Sequence, residues 1–96
     1  MGWDVAGRVE AVGDQVTEFQ RGDEVFASCQ WALAEYTRVA EDTLAPKPTN
    51  LTFEQAAAVP TAALTALQGL RDAGKVQPGQ QVLINGASGG VGTFAV

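Results

Sequence analysis

A glycine-rich segment near the end of the chain decides the fold: residues 81–92 read QVLINGASGGVG. The three consecutive apolar residues Val82, Leu83 and Ile84 are typical of a β-strand covered on both faces by helices. Four glycines follow within seven residues, and a further apolar segment begins at Val91. We therefore predict a strand over residues 81–85, a tight turn, and then the start of a helix.

The glycine spacing can be interpreted in two ways. It is either Gly86, Gly89 and Gly92 at three-residue intervals, or G-x-G-x-x-G with Ala87 in place of its first glycine. Such a loop lets the main chain approach a pyrophosphate, whose charge is held by N–H groups at the helix start. The alternative is a tight strand-to-helix turn without a ligand. Residues 73–96 carry one ionisable side chain, Lys75, so no carboxylate nearby in sequence repels a phosphate.

The first forty residues have the pattern of a β-structure. Residues 2–12 show strand-like alternation closed by a Gly13-Asp14 turn, and a short β-prone run follows at 24–27. Residues 34–40 predict a third strand. Short strands joined by Gly/Asp turns indicate part of an antiparallel barrel or sandwich.

The middle of the chain changes character at its prolines. Pro46 and Pro48 lack a donor N–H, so residues 44–50 are predicted to be an extended connector. Thr52 with Gln55 matches a capping box, which predicts a short helix over 53–59.

A longer helix is predicted over residues 61–73, with its apolar residues on one face. Gly74 is expected in the left-handed conformation just after its end. Pro78-Gly79 predicts a turn before the apolar strand.

The composition limits the classes of function. The chain has 96 residues, 46% of them hydrophobic and 18% charged, which fits one small folded domain. Its charge of -5 disfavours nucleic-acid and anionic-membrane partners. Apolar runs of only a few residues predict neither a spanning helix nor a signal peptide. One Cys and no His predict no disulfide and no metal site, and a cytoplasmic protein.

Five stretches, in order along nearly the whole chain, resemble the medium-chain dehydrogenase/reductase family: GWDVAGRVEAVGDQV, RGDEVF, AEYTRVAEDTLAPKP, TFEQAAAVPTAALTALQGL and QPGQQVLINGASGGVG. The resemblance implies a mixed α/β fold, with partial GroES-like β-barrel strands, then helices, then the first strand–loop–helix of a Rossmann domain. It divides the chain into a partial GroES-like catalytic domain (1–50), a helical connector (51–80) and the start of an NAD(P)-binding domain (81–96). On this interpretation the chain is an internal piece of a longer enzyme.

The resemblance also implies an activity. Zinc-dependent members have Gly-His-Glu where this chain has Gly2-Trp3-Asp4, and a cysteine ligand where it has Thr61. The chain therefore resembles the zinc-free, quinone oxidoreductase-like branch, whose enzymes transfer hydride from a nicotinamide to a conjugated carbonyl such as a quinone or enone. NADP or NAD is the implied cofactor, with NADP favoured, and a homo-oligomer is the implied assembly.

Site residues follow from the matched positions, although no catalytic residue is assigned. Thr65, with Thr61 beside it, matches a position against the nicotinamide, but both hydroxyls are equally expected to bond to helix carbonyls. The stretch that matches the pyrophosphate cradle consists of Ser88, Gly89, Gly90, Val91 and Gly92.

Other residues receive structural interpretations. Asp4 is expected to be a hydrogen-bonding or ion-pairing group and Cys29 a partly buried filler. Trp3 and Trp31 either line a substrate cleft or simply pack. Because the strand at 81–85 has no expected neighbour in the chain, the alternative function is a non-catalytic, strand-exchanged oligomer.

Overall fold

A computed structural model describes all 96 residues, which form two compact units, Met1–Pro60 and Thr61–Val96. The first unit contains strands β1 (Asp4–Arg8) and β2 (Glu24–Ser28), a 3₁₀ turn (Glu41–Thr43), strand β3 (Ala45–Pro46) and helix α1 (Phe53–Ala57). Helix α2 (Pro60–Leu67) begins at the last residue of that unit, and a π-helical segment (Gln68–Ala73) and helix α3 (Gly90–Ala95) follow it.

The sheet is antiparallel, with strand order β1-β2-β3. Asp4 lies opposite Ser28 and Arg8 opposite Glu24, which confirms the first two predicted strands. The third prediction is wrong: residues 34–40 form bends and an extended segment outside the sheet. A strand needs a neighbour to satisfy its N–H and C=O groups, and no strand pairs with these residues.

The predicted proline connector contributes the third strand instead. Pro46 lies opposite Val25 in the edge strand of the sheet. Proline is tolerated at such an edge, because its missing N–H removes no hydrogen bond between the strands. The Lys47 N–H continues the pairing by donating to the Glu24 carbonyl at 2.9 Å.

The core of this unit lies between the sheet and α1, which contacts both β1 and β2. Its buried apolar residues are Val25 and Ala27 of β2 and Ala56 of α1. No side chain of the chain is large and fully buried, so the core is thin.

Helix α1 begins as its sequence predicts. The Gln55 N–H donates to the Thr52 hydroxyl at 3.1 Å, and the Thr52 N–H donates to the Gln55 side-chain oxygen at 3.0 Å. This reciprocal capping box satisfies two backbone donors at the helix start. Pro60 then opens α2 rather than continuing α1.

The predicted second helix is confirmed, because α2 and the π-helical segment together extend to Ala73. The conformation expected at Gly74 is wrong: its φ is -78°, whereas Lys75 takes a left-handed φ of 49°. Gly74 is needed for space, because a Cβ there would lie 2.9 Å from the Gly69 carbonyl oxygen. That carbonyl accepts the Gly74 N–H at 2.8 Å, which closes the π-helical turn.

The segment after the π-helix contains one confirmed and one incorrect prediction. Gly79 has a φ of +85°, and the Gln80 N–H donates to the Gln77 carbonyl, so Pro78-Gly79 forms the predicted turn. Residues 81–85 are not a strand, because no other strand pairs with them, and Leu83 is 88% exposed. No helix of the chain is both long enough and apolar enough to cross a membrane.

Candidate cofactor-binding site

The glycine loop forms a tight turn that leads into α3. Gly86 has a φ of +69°, which favours glycine, and the Gly89 N–H donates to the Gly86 carbonyl at 2.9 Å. Gly89 is the N-cap of α3, and its carbonyl accepts both the N–H and the hydroxyl of Thr93. The segment after residue 85 thus has the turn and the helix start that the sequence predicts.

Close backbone approach explains the last glycine of the loop. Gly92 is buried, and a Cβ at this position would collide with the Gly86 carbonyl oxygen and lie 2.8 Å from the Ala87 Cα. The turn at Gly86 and the approach at Gly92 make the spacing Gly86, Gly89, Gly92 the one that the geometry uses. Of the two sequence interpretations, the structure favours this one.

The loop presents backbone donors on an exposed surface. Ser88 to Val91 are exposed, and the Gly90 and Val91 N–H groups have no carbonyl partner, as is usual in the first helical turn. Residues 86–92 read GASGGVG, so four of the seven residues lack a Cβ and none carries a carboxylate side chain. A glycine cradle with outward N–H groups is chemically suited to a phosphate-containing ligand.

The two predicted threonines lie one turn apart on α2. The Thr65 hydroxyl donates to the Thr61 carbonyl at 2.7 Å, as the helix-bonding alternative expects. The hydroxyl oxygen of Thr65 still has lone pairs for accepting a hydrogen bond, and this residue is exposed. The structure therefore brings Ser88 to Gly92 together in one loop, while Thr61 and Thr65 form a separate pair on a helix.

An open cleft of about 800 Å³ lies within the first unit. It is lined by β1 and by residues that include Tyr36, Thr37 and Val39. Neither tryptophan lines this cleft: Trp3 is 58% and Trp31 is 71% exposed elsewhere on the surface. The two tryptophans therefore neither pack in the core nor line the one cleft described.

The remaining candidate residues have modest surroundings. Cys29 is a half-buried free thiol whose backbone N–H donates to the Trp3 carbonyl. No group of three or more His, Cys, Asp or Glu side chains is arranged to hold a metal ion.

Sequence reasoning missed one buried cation. The Lys47 side chain is 7% exposed, and its ammonium donates to the Leu51 carbonyl at 2.5 Å and the Pro48 carbonyl at 3.1 Å. It also lies 3.8 Å from a Glu24 carboxylate oxygen and 5.3 Å from the centre of the Phe53 ring. The signal available in the sequence was a single lysine between two prolines.

The fold agrees with comparisons to known proteins. Residues 1–69 match the family model of the alcohol dehydrogenase GroES-like domain. The chain is 43% identical to a quinone oxidoreductase of Mus musculus over 93 residues, covering 95% of this chain and 28% of that protein. It is also 43% identical to a 2-methylene-furan-3-one reductase of Solanum lycopersicum over 105 residues, covering 99% and 27% respectively.

Solved structures give the same result. An alcohol dehydrogenase superfamily protein from Novosphingobium aromaticivorans superposes with a TM-score of 0.93 at 43% identity, over 97% of this chain and 30% of that one. A mycobacterial protein solved in complex with NADPH superposes with a TM-score of 0.88 at 35% identity, over 98% and 30%.

These matches define the class, an oxidoreductase family with a GroES-like domain. The chain belongs to the medium-chain dehydrogenase/reductase family, and quinone oxidoreductases are among its relatives. It spans under a third of the length of the curated relatives described above.

Proposed function

We propose that this chain is part of an NAD(P)H-dependent, zinc-independent oxidoreductase that reduces a conjugated carbonyl compound, either a quinone or an enone. The glycine loop is the observation that carries the proposal. Its turn at Gly86 and close approach at Gly92 are the features that allow a main chain to hold a diphosphate. The names of the mouse and tomato relatives support the two acceptor classes.

Each part of the loop has a proposed role. The exposed backbone at Ser88, Gly89, Gly90 and Val91 holds the diphosphate through N–H donors, and Gly92 keeps the helix start against the turn. The NADPH-bound relative and the absence of carboxylates in residues 86–92 support this assignment. We favour NADP over NAD on the family resemblance.

The threonines are proposed to orient the nicotinamide. Thr65 is exposed and can accept a hydrogen bond from the carboxamide while its own proton stays on the Thr61 carbonyl. Thr61 lies one helical turn away and would act beside it. Bound NADPH would supply a hydride to the acceptor and leave as NADP⁺, with the accompanying proton taken from solvent.

The domain division is part of the same proposal. Residues 1–50 would belong to the GroES-like domain, 51–80 to a helical connector, and 81–96 to the start of the nucleotide-binding domain. The cytoplasm is the proposed location, because one cysteine and no disulfide fit a reducing compartment.

Cofactor titration tests the proposal directly. NADPH and NADH are added to the purified chain, and binding is followed by calorimetry and by nicotinamide fluorescence. Gly89→Ala adds a methyl group where the main chain is to approach the diphosphate, so we expect its NADPH Kd to rise roughly tenfold or more. The matched control is Gly69→Ala, whose Cβ meets no atom within 4 Å and should leave the Kd unchanged.

Circular dichroism of both variants shows whether their helices are intact. Absence of binding to the unsubstituted chain, even at millimolar NADPH and NADH, would contradict a cofactor site on this loop. If Gly89→Ala and Gly69→Ala lost binding equally, the loss would come from reduced helix stability rather than from a changed loop.

A further inference from the structure

The glycine loop is preceded by an asparagine. The chain contains two asparagines, of which Asn85 is followed by Gly86 and Asn50 by Leu51. Both asparagines are exposed. The side-chain amide of asparagine is chemically labile, because the backbone nitrogen of the next residue can attack it. Glycine at that next position has no Cβ to obstruct the attack, so Asn85 has the more reactive neighbour.

The backbone hydrogen bonds also distinguish the two asparagines. The Gly86 N–H donates to no backbone carbonyl, whereas the Leu51 N–H donates to the Pro48 carbonyl at 3.2 Å. A nitrogen that is bonded within a turn must give up that bond before it can attack. Gly86 has a φ of +69° and accepts the Gly89 N–H through its carbonyl, so the turn begins directly after Asn85. These features are set within a few consecutive residues.

We propose that Asn85 is a site of spontaneous deamidation, which places a negative charge at the entrance of the glycine loop. The backbone nitrogen of Gly86 forms a bond to Cγ of Asn85, and the bond from Cγ to Nδ2 breaks. Ammonia leaves with the proton of the Gly86 nitrogen, and a cyclic imide remains. Water then opens the imide to give either an aspartate or an isoaspartate at position 85. Nothing is oxidised or reduced in either step.

The consequence for the cofactor rests on the proposed function of the loop. Residues 73–96 contain no Asp or Glu, so the new carboxylate is the first acidic side chain in this part of the chain. Its charge repels a diphosphate held on the neighbouring N–H groups. An isoaspartate also adds a methylene group to the main chain where the turn begins, which shifts those N–H groups. NADPH affinity therefore falls as the chain ages.

Peptide mapping tests the modification without any cofactor. The purified chain is kept for several days at mildly alkaline pH, and samples are digested with trypsin and analysed by mass spectrometry. Cleavage after Lys75 puts the two asparagines on separate peptides. We expect Asn85 to gain the mass of an amide-to-acid change at least roughly tenfold faster than Asn50, as two chromatographic products of equal mass. Equal rates, or a faster change at Asn50, would overturn the proposal.

NADPH titration of the same samples tests the consequence. Asn85→Asp introduces the charge from the start and should raise the NADPH Kd roughly tenfold. Asn85→Gln keeps an uncharged amide that forms a cyclic imide far more slowly, so its Kd should stay constant during the incubation. Deamidated chain that binds NADPH as well as fresh chain would overturn the effect on the cofactor. Selective deamidation in a chain that never binds NADPH would contradict the proposed function and still support the modification site.

Discussion

The two units of this chain are held together by different kinds of hydrogen bond. In Met1–Pro60, β1 and β2 pair residues far apart in sequence, with Asp4 opposite Ser28. In Thr61–Val96, the backbone hydrogen bonds of turns and caps join residues at most six positions apart, as between Val76 and Leu70. The second unit therefore consists of helices and turns whose hydrogen bonds lie within short segments. No strand pairs with its apolar segment 81–85.

The largest expected difference between the units is in hydrogen exchange. The amides of Val25 and Ala27 lie in the central, buried strand, whereas those of Val82 and Leu83 have no backbone partner. We expect the β2 amides to exchange at least about 100-fold more slowly, because they exchange only when the sheet opens. Amide exchange followed by NMR measures both sets together. Comparable protection at residues 81–85 would mean that this segment has found a strand partner, and the contrast would be lost.

Lys47 offers a way to weaken the first unit alone. Lys47→Met keeps the length of the side chain but removes the donors to the Leu51 and Pro48 carbonyls and the charge beside Glu24. We expect the free energy of unfolding to fall by about 2 kcal/mol, because a buried acceptor loses its charged donor. Urea denaturation monitored by circular dichroism measures this change.

The matched control for Lys47 is Arg21→Met. Arg21 pairs with Glu10 at 3.4 Å, but the Arg21 side chain is 77% exposed, so its removal should change the stability by at most about 0.5 kcal/mol. Equal effects of the two substitutions would show that burial of Lys47 contributes little.

Sequence reasoning succeeded where hydrogen bonds are local. The capping box of Thr52 and Gln55, the helix break at Pro60 and the turn at Pro78-Gly79 each depend on residues within a few positions of one another. The glycine turn before α3 was predictable for the same reason. These elements require no knowledge of what lies elsewhere in the chain.

It failed where a distant partner or a local clash decides the conformation. Residues 34–40 and 81–85 have strand patterns. A strand forms only where another strand pairs with it, and the sequence pattern does not identify that partner strand. Gly74 was expected for its φ angle, whereas the reason for glycine is the nearby Gly69 carbonyl. The burial of Lys47 depends on how the connector folds back over Phe53, which spacing alone does not reveal.

A smaller effect should follow from removing the cap of α1. Thr52→Ala removes the acceptor of the Gln55 N–H and one half of the reciprocal pair, so we expect a loss of about 1 kcal/mol in the free energy of unfolding. Urea denaturation of this variant is compared with Thr49→Ala, which makes the same change at an exposed position outside the cap. No difference between the two variants would mean that packing of Ala56 against the sheet, rather than the cap, determines where α1 forms.

The smallest expected effect concerns the ion pair of the second unit. The Arg71 side chain donates two hydrogen bonds to the Asp72 carboxylate, at 2.7 and 3.2 Å, and these bonds, with the positive charge, lower the pKa of Asp72. Arg71→Gln should therefore raise the pKa of Asp72 toward its ordinary value, measured by NMR titration of the side-chain carboxyl carbon. A lowered pKa in the folded state contributes stability above the pKa of the unfolded chain, and this contribution disappears as the pH falls through the folded value. Because both side chains are more than half exposed, water and salt screen the pair, and the unfolding midpoint should barely move. A large change in stability with an unchanged Asp72 pKa would instead mean that Arg71 acts on the π-helical segment and not on its neighbour's charge.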